Sequence, residues 1–247
     1  MESSLKRCIP NAITSLNLLC GVLATCCAFE GLFAAAALLI VGGAVFDFFD
    51  GFAARALGVS GPMGKELDSL ADNISFGLAP AAIYSTYMRW LLTGSLTTPL
   101  ASMEAWQVLL VCLPLTLAVF AGLRLAKFNI DERQTESFLG LTTTATGLFT
   151  ASLFWMLPAH EDLFAQTLTP AATLILVAVF CFLLVSEIPM FSLKVKHWQW
   201  AGNELRAALL AVGLLSIVAL GLGGLSVTIL LYVVFSVVRS LLPGAKG

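Results

Sequence analysis

A bundle of membrane-crossing α-helices is the fold class this sequence predicts, and three observations predict it. The 247 residues are 59% hydrophobic and only 11% charged, with a mean hydropathy of +0.94, far from the roughly half-apolar, quarter-charged average of soluble domains. Apolar runs of about 20 residues, the length that crosses a hydrocarbon core of about 30 Å, recur between short polar breaks along the whole length. The basic residues gather at alternate breaks, as the cytoplasmic ends of successive spans do.

Eight spans are expected, near 11–29, 31–55, 66–92, 104–127, 139–158, 168–188, 203–222 and 224–242. The first follows Lys6 and Arg7 as a signal peptide would. No small-residue cleavage site leads from it into a polar mature domain, so it is expected to be retained. The runs are long and continuous rather than ten-residue alternating strands, which excludes a barrel, the other architecture that satisfies its backbone in lipid. With the N-terminus inside, Lys6, Arg7, Arg55, Lys65, Arg124, Lys127, Arg133, Lys194, Lys196, Arg206, Arg239 and Lys246 fall at cytoplasmic ends, and of the 13 basic residues only Arg89 falls outside. The outer breaks carry Glu30, Glu104, Glu161 and Asp162. Net charge, −2, is uninformative beside this distribution. No basic stripe supports nucleic-acid binding.

Six cysteines form no CxxC pair and sit in or beside apolar helical segments, where they read as small packing residues. His160 and His197 stand alone in loops without metal-ligand spacing.

Carboxylates inside apolar helices are costly and mark a functional site by default. Asp47 and Asp50 lie at i,i+3 near the end of the second span, and Asp68 and Asp72 at i,i+4 at the start of the third, so each pair shares one helix face. The connection between them contains Gly58, Gly61, Pro62 and Gly64, which lets the two helices pack antiparallel and bring both pairs to the same depth. Four like charges would then repel. Mg²⁺ or Mn²⁺, hard cations that take carboxylate oxygen and keep sites open for phosphate oxygen, would resolve the repulsion. The plainer alternative, helix caps paired with Arg55 and Lys65, fits one aspartate better than four.

The pattern Asp47-x2-Asp50-Gly51-x2-Ala54-Arg55-x8-Gly64-x3-Asp68-x3-Asp72 resembles the complete signature of the CDP-alcohol phosphatidyltransferase family, at all eight fixed positions over 26 residues. The resemblance implies that Asp47, Asp50 and Asp68 ligate one or two divalent ions, with Asp72 sharing in ligation and serving as general base. It also implies that Gly51, Ala54, Arg55 and Gly64, with Asp47 and Asp68, line the pocket for the cytidine diphosphate headgroup of CDP-diacylglycerol. The expected chemistry is displacement of CMP by an alcohol, with the pyrophosphate charge held by metal and by the Arg55 fork.

Other segments bear on the alcohol. Pro10-Asn11-x2-Thr14-x2-Asn17, the run from Asp68 to Pro80, Arg124-Leu125-Ala126-Lys127-Phe128-Asn129 and the run from Glu187 to Lys194 are similar to segments of bacterial phosphatidylserine synthases, which implies L-serine as acceptor. That similarity extends from about residue 9 to 196. Residues 1–200 are accordingly expected to form the catalytic core and 201–247 a C-terminal pair of helices. Asn11, Thr14 and Asn17 are expected at the nucleotide, or alternatively as a cap and helix-to-helix hydrogen bonds. Arg124 and Lys127 are expected to meet serine carboxylate or lipid phosphate, or alternatively to mark topology by snorkelling. At Thr142-Thr143-Thr144 the sequence departs from the proline-containing turn usual in the family, which leaves the local loop open.

Glycerol 3-phosphate or inositol phosphate, the alternative acceptors within the same family, would need extra basic residues facing the site; the chain offers few, Arg124, Lys127 and Arg133, and this count alone leaves both acceptors open. A cation transporter would call for carboxylates at mid-membrane and repeated halves, and a purely structural protein leaves the aspartates unexplained. The expected molecule is an inner-membrane enzyme with its site facing the cytoplasm, a lateral entry for the lipid tails and, by resemblance and by the frequency of twofold oligomers, a homodimeric assembly.

Overall fold

The computed structural model describes residues 2–59, 61–130, 139–190 and 204–241. Arg133, Lys194, Lys196, His197 and Lys246, and the side chains of Arg7 and Arg206, lie outside the described residues. The chain is all-helical: α1 (Glu2–Phe29), α2 (Phe33–Ala56), α3 (Pro62–Asp72), α4 (Ala79–Thr93), α5 (Ala105–Cys112), α6 (Thr116–Ile130), α7 (Thr143–Trp155), α8 (Glu161–Thr167), α9 (Pro170–Val185), α10 (Glu204–Leu220) and α11 (Gly224–Leu241). A π-helical turn, Asn73–Leu78, joins α3 to α4 without a break, so a single rod runs from Pro62 to Thr93.

That rod organises the molecule. Every residue from Ala79 to Met88 is buried, and a helix apolar all round is a central one. Phe154 of α7 packs its ring 5.2 Å from Tyr84 and 5.1 Å from Tyr87, while Phe33 of α2 reaches Phe154 at 5.6 Å. The two tyrosine hydroxyls are not orphaned: Tyr84 accepts from Thr150 Oγ1 at 3.3 Å, and Tyr87 donates to the Leu168 carbonyl at 3.2 Å. The N-terminal end of the same rod is α3, which carries Asp68 and Asp72.

Local chemistry sets the turns that matter for the site. After α2 the chain reverses at Gly58, whose φ of +61° is a left-handed conformation that costs a glycine little. Gly61 then precedes Pro62 at the first turn of α3, where the missing N–H would have had no helical partner anyway. The three threonines that leave the loop open in the sequence are resolved by capping. Thr142 Oγ1 accepts from the Ala145 N–H at 3.2 Å, while Gly140 (φ +73°) and Leu141 donate backbone N–H groups to Ile188 and Leu183. The loop is thereby stitched to the end of α9.

Among the described residues, four segments are long and apolar enough to cross a membrane: Cys8–Phe29, Phe33–Ala56, Ala105–Ile130 and Ala208–Ser240. A fifth arises if α8 and α9, bent by 75°, form one span. Of the eight expected spans, those near 66–92 and 139–158 have no described segment that meets this standard. The rod Pro62–Thr93 carries Lys65, Glu66, Asp68 and Asp72 in its first third, and α7, with 13 residues, is only about 20 Å long. The segment Ala208–Ser240 is itself folded back. A Cβ on Gly213 would stand 2.9 Å from the Thr228 side chain, whereas one straight helix would separate the two positions by about 22 Å. The reversal is at Gly221–Gly223.

The bundle has two unlike ends. At one, Arg89 donates to the Phe29 carbonyl at 3.0 Å. At the other, Lys65 donates to the Asn129 carbonyl at 2.8 Å and Lys127 pairs with Glu187 at 3.0 Å. Large apolar side chains such as Phe48, Phe52, Leu109, Phe182 and Val218 are more than half exposed, as the lipid-facing surface of an integral membrane protein requires.

Candidate active site

The helical hairpin α2–α3 brings its aspartates together. One carboxylate oxygen from each of Asp47, Asp50 and Asp68 falls within 4.8 Å of the other two. Asp50 is the most enclosed, 6% exposed, and its Oδ2, like Asp68 Oδ1, is buried without a hydrogen-bond partner among the described residues. Buried acceptors left without a donor are rare, because each forfeits its hydration. Three hard carboxylate oxygens gathered within 4.8 Å of one another, with a buried unpartnered oxygen on each of Asp50 and Asp68, are a donor set that fits a divalent cation of the Mg²⁺ or Mn²⁺ kind. Asp47, Asp50 and Asp68 would hold it.

Asp72 stands beside this triad rather than in it. One turn further along the rod, its Oδ1 accepts from Asn17 Nδ2 at 3.3 Å, and it lies within electrostatic reach of Asp47, Asp68 and the Arg124 guanidinium. Asn17 is fully buried, and its own main-chain carbonyl accepts from Ser75 Oγ at 2.9 Å.

Next to the triad opens a cavity of about 610 Å³ between α1, the end of α2 and the start of α3. Of the sequence-predicted nucleotide residues, Asn11, Thr14, Gly51, Ala54, Gly64 and Asp68 line it, and so does Asp50, expected only as a metal ligand. Asp47, Asn17 and Arg55 are not in its wall. Arg55 is exposed on the last turn of α2 and folds back along its own helix, where a Cβ on Gly51 would lie 3.3 Å from Nη1. Gly64 serves the approach of α1 to α3, since a Cβ there would stand 3.3 Å from Asn11 Oδ1. Cys8, Pro10, Val59, Gly61, Pro62, Met63 and Lys65 complete the lining. Sequence reasoning did not assign these to the site. Position was the available signal for Gly61, Pro62 and Lys65, which flank the Gly64 motif, and nothing in the sequence singled out Cys8 or Val59.

The cations expected at the acceptor differ in circumstance. Arg124 is 8% exposed; Nη1 donates to Thr143 Oγ1 at 3.4 Å, the guanidinium carbon lies 5.5 Å from the Phe128 ring centroid, and Nε has no partner among the described residues. Lys127, one turn on, is part-exposed and paired with Glu187. Asn129 Nδ2 donates to Ser69 Oγ at 2.9 Å, and with the Lys65–Asn129 bond this ties the end of α6 to α3. Arg124, Lys127 and the aspartates are therefore held on mutually braced helices.

Chemically, a carboxylate triad beside a cavity large enough for a nucleotide headgroup, with a fourth carboxylate and a buried arginine adjacent, suits transfer of a phosphoryl-linked group to an alcohol. Comparison with known proteins agrees. Residues 7–219 match the family model described as CDP-alcohol phosphatidyltransferase. The CDP-diacylglycerol--serine O-phosphatidyltransferase of Bacillus subtilis (strain 168) is 36% identical over 147 residues, covering 57% of this chain and 71% of that protein. The enzyme of the same name from Helicobacter pylori (strain ATCC 700392 / 26695) is 27% identical over 233 residues, covering 93% and 90%. The archaetidylserine synthase of Methanothermobacter thermautotrophicus is 30% identical over 175 residues, covering 69% and 67%. With its eight-position motif, its aspartate triad and a family match over most of its length, the chain is a member of the CDP-alcohol phosphatidyltransferase family.

Proposed function

We propose that this phosphatidyltransferase moves the phosphatidyl group of CDP-diacylglycerol onto L-serine, releasing CMP and forming phosphatidylserine. The observation that carries the reading is the convergence of Asp47, Asp50 and Asp68 at the wall of a cavity lined by Asn11, Thr14, Gly51, Ala54 and Gly64. The names of the relatives support serine as acceptor.

In this reading the cytidine diphosphate sits in the cavity, with Lys65 of its lining, and Arg55 swung out from the last turn of α2, available to the pyrophosphate. A divalent ion, on which the family generally depends, would neutralise pyrophosphate charge and polarise the phosphoryl oxygens. Asp72 takes the proton from the serine hydroxyl. The hydroxyl oxygen forms a bond to the phosphatidyl phosphorus as the bond from that phosphorus to the CMP oxygen breaks, in one in-line displacement. Arg124, buried beside Asp72 with a donor to spare, anchors the serine carboxylate, and the Lys127–Glu187 pair offers a zwitterion both signs of charge. The diacyl tails extend over the exposed Phe48, Phe49 and Phe52, neighbours in sequence of Asp47 and Asp50, and over the exposed Met63 of the cavity lining.

Residues 1–200 form the catalytic core in this proposal and 201–247 an added helical pair. The site faces the cytoplasm across the inner membrane, and two copies pair as a homodimer. The test is lipid analysis after supplying purified protein with CDP-diacylglycerol and each alcohol separately. Phosphatidylserine should form far faster than the products of glycerol 3-phosphate, inositol phosphate or choline; a faster reaction with glycerol 3-phosphate would overturn the acceptor while leaving the family intact.

A further inference from the structure

We infer that Asn17 is a positioning residue for the base, holding Asp72 in the orientation proton transfer needs, rather than a nucleotide contact. The inference rests on the reading of Asp72 as the group that accepts the alcohol's proton.

Asn17 does not reach the cavity. It is fully buried, absent from the cavity wall, and its amide Nδ2 lies 3.3 Å from Asp72 Oδ1. An ionised carboxylate only accepts, so the amide must present nitrogen rather than oxygen to it. That bond occupies one carboxylate oxygen and leaves the other for the proton. Asn17 is itself fixed at its main chain and packed against at its side chain. Ser75, on the same face of the rod as Asp72, donates to the Asn17 main-chain carbonyl at 2.9 Å. Gly43 of α2 closes the opposite side, where a Cβ would stand 2.9 Å from Asn17 Oδ1. Gly21, one turn further along α1, lets the rod come so near that a Cβ there would lie 2.7 Å from Ser75 Cα. The π-helical turn begins at Asn73, immediately after Asp72, and such turns inside helices are frequent at functional sites. Asn17, Gly21, Gly43 and Ser75 thus make one bracket that presents to Asp72, among the described residues, the hydrogen bond from Asn17 Nδ2.

A group that orients a catalytic carboxylate alters the chemical step more than substrate binding, and losing such a bond typically costs about 10- to 100-fold in activity. The experiment uses the full-length enzyme in detergent with divalent metal, following CMP release while CDP-diacylglycerol and serine are varied in turn, with CDP affinity and thermal stability measured on the same samples. Asn17→Ala should lower kcat by about 10- to 100-fold with both KM values and CDP affinity within about twofold of wild type. Gly43→Ala, which displaces the amide without removing it, should lower kcat in the same direction and by less; it carries the test if Asn17→Ala does not fold.

A raised KM for CDP-diacylglycerol or weakened CDP binding at unchanged kcat would make Asn17 a nucleotide contact and overturn the inference. Lower stability with unchanged kcat per folded molecule would reduce it to packing and equally overturn it. Wild-type silence toward serine would instead sink the acceptor reading, and the same comparison would then be run with whichever alcohol releases CMP.

Discussion

Replacing Asp50 by asparagine should abolish turnover while making the metal-free protein more stable. Asp50 is 6% exposed, and its carboxylate faces those of Asp47 and Asp68 with ligand oxygens no more than 4.8 Å apart. At that separation and an effective dielectric of about 20, each pair of full charges repels by about 3.5 kcal/mol, so Asp50 accounts for about 7 kcal/mol of gross repulsion. Protonation and counter-ions relieve most of this when no metal is bound. If about a quarter survives, near 1.7 kcal/mol, neutralising Asp50 should raise the metal-free Tm by about 3–7 °C for a chain of this size. Metal acts in the opposite sense on the two proteins. Binding at 100 times Kd stabilises wild type by about 2.7 kcal/mol, and the variant, short of one anionic ligand, should lose most of that gain. The assay is thermal unfolding in detergent with chelator and with Mn²⁺ or Mg²⁺, beside CMP release. A variant whose chelated Tm falls below wild type, or that keeps the full metal-induced shift, would refute the reasoning.

Further outcomes follow from the same geometry. Asp72→Asn should lose the chemical step in single turnover while CDP-diacylglycerol affinity largely survives, because an amide cannot take the hydroxyl proton; an unchanged single-turnover rate would remove Asp72 from the base role. Lys127→Ala, which also frees Glu187 from its 3.0 Å ion pair, should raise the KM for serine more than that for CDP-diacylglycerol, and equal effects on both would place Lys127 at the lipid instead. Single-cysteine labelling should find positions 6 and 127 accessible from the cytoplasmic side and 97 and 162 from the other; external labelling of 127 would reverse the orientation.

How much of this was legible in the sequence depends on the range of the interaction involved. The aspartates were, because i,i+3 and i,i+4 spacing and a glycine-containing turn are local features, and the hairpin α2–α3 needs little else to bring them together. Gly51, Ala54 and Gly64 in the cavity wall came with the same local motif, whereas Asn11 and Thr14, on α1, came only through the resemblance of the first span. The partner of Asn17 was not. Its bond spans 55 positions in sequence and depends on where the rod crosses α1, which is set by Gly21 and Gly43 and by a π-helical turn that no periodicity announces. The pairing of Lys127 with Glu187, 60 positions apart, is of the same kind. Apolar run length gave the spans their approximate places but not their helical extent, since α7 is capped at Thr142 and ends at Trp155 inside a longer apolar run.

The measurement that bears most directly on the mechanism is CMP release by the purified full-length protein from CDP-diacylglycerol and serine before chelation, after exhaustive removal of divalent ions, and after Mg²⁺ or Mn²⁺ is restored. If Asp47, Asp50 and Asp68 hold a metal that the reaction needs, release should fall to background on chelation and return on restoration in the wild-type protein, and should be absent throughout in Asp68→Asn. Undiminished CMP release after complete metal removal would contradict it.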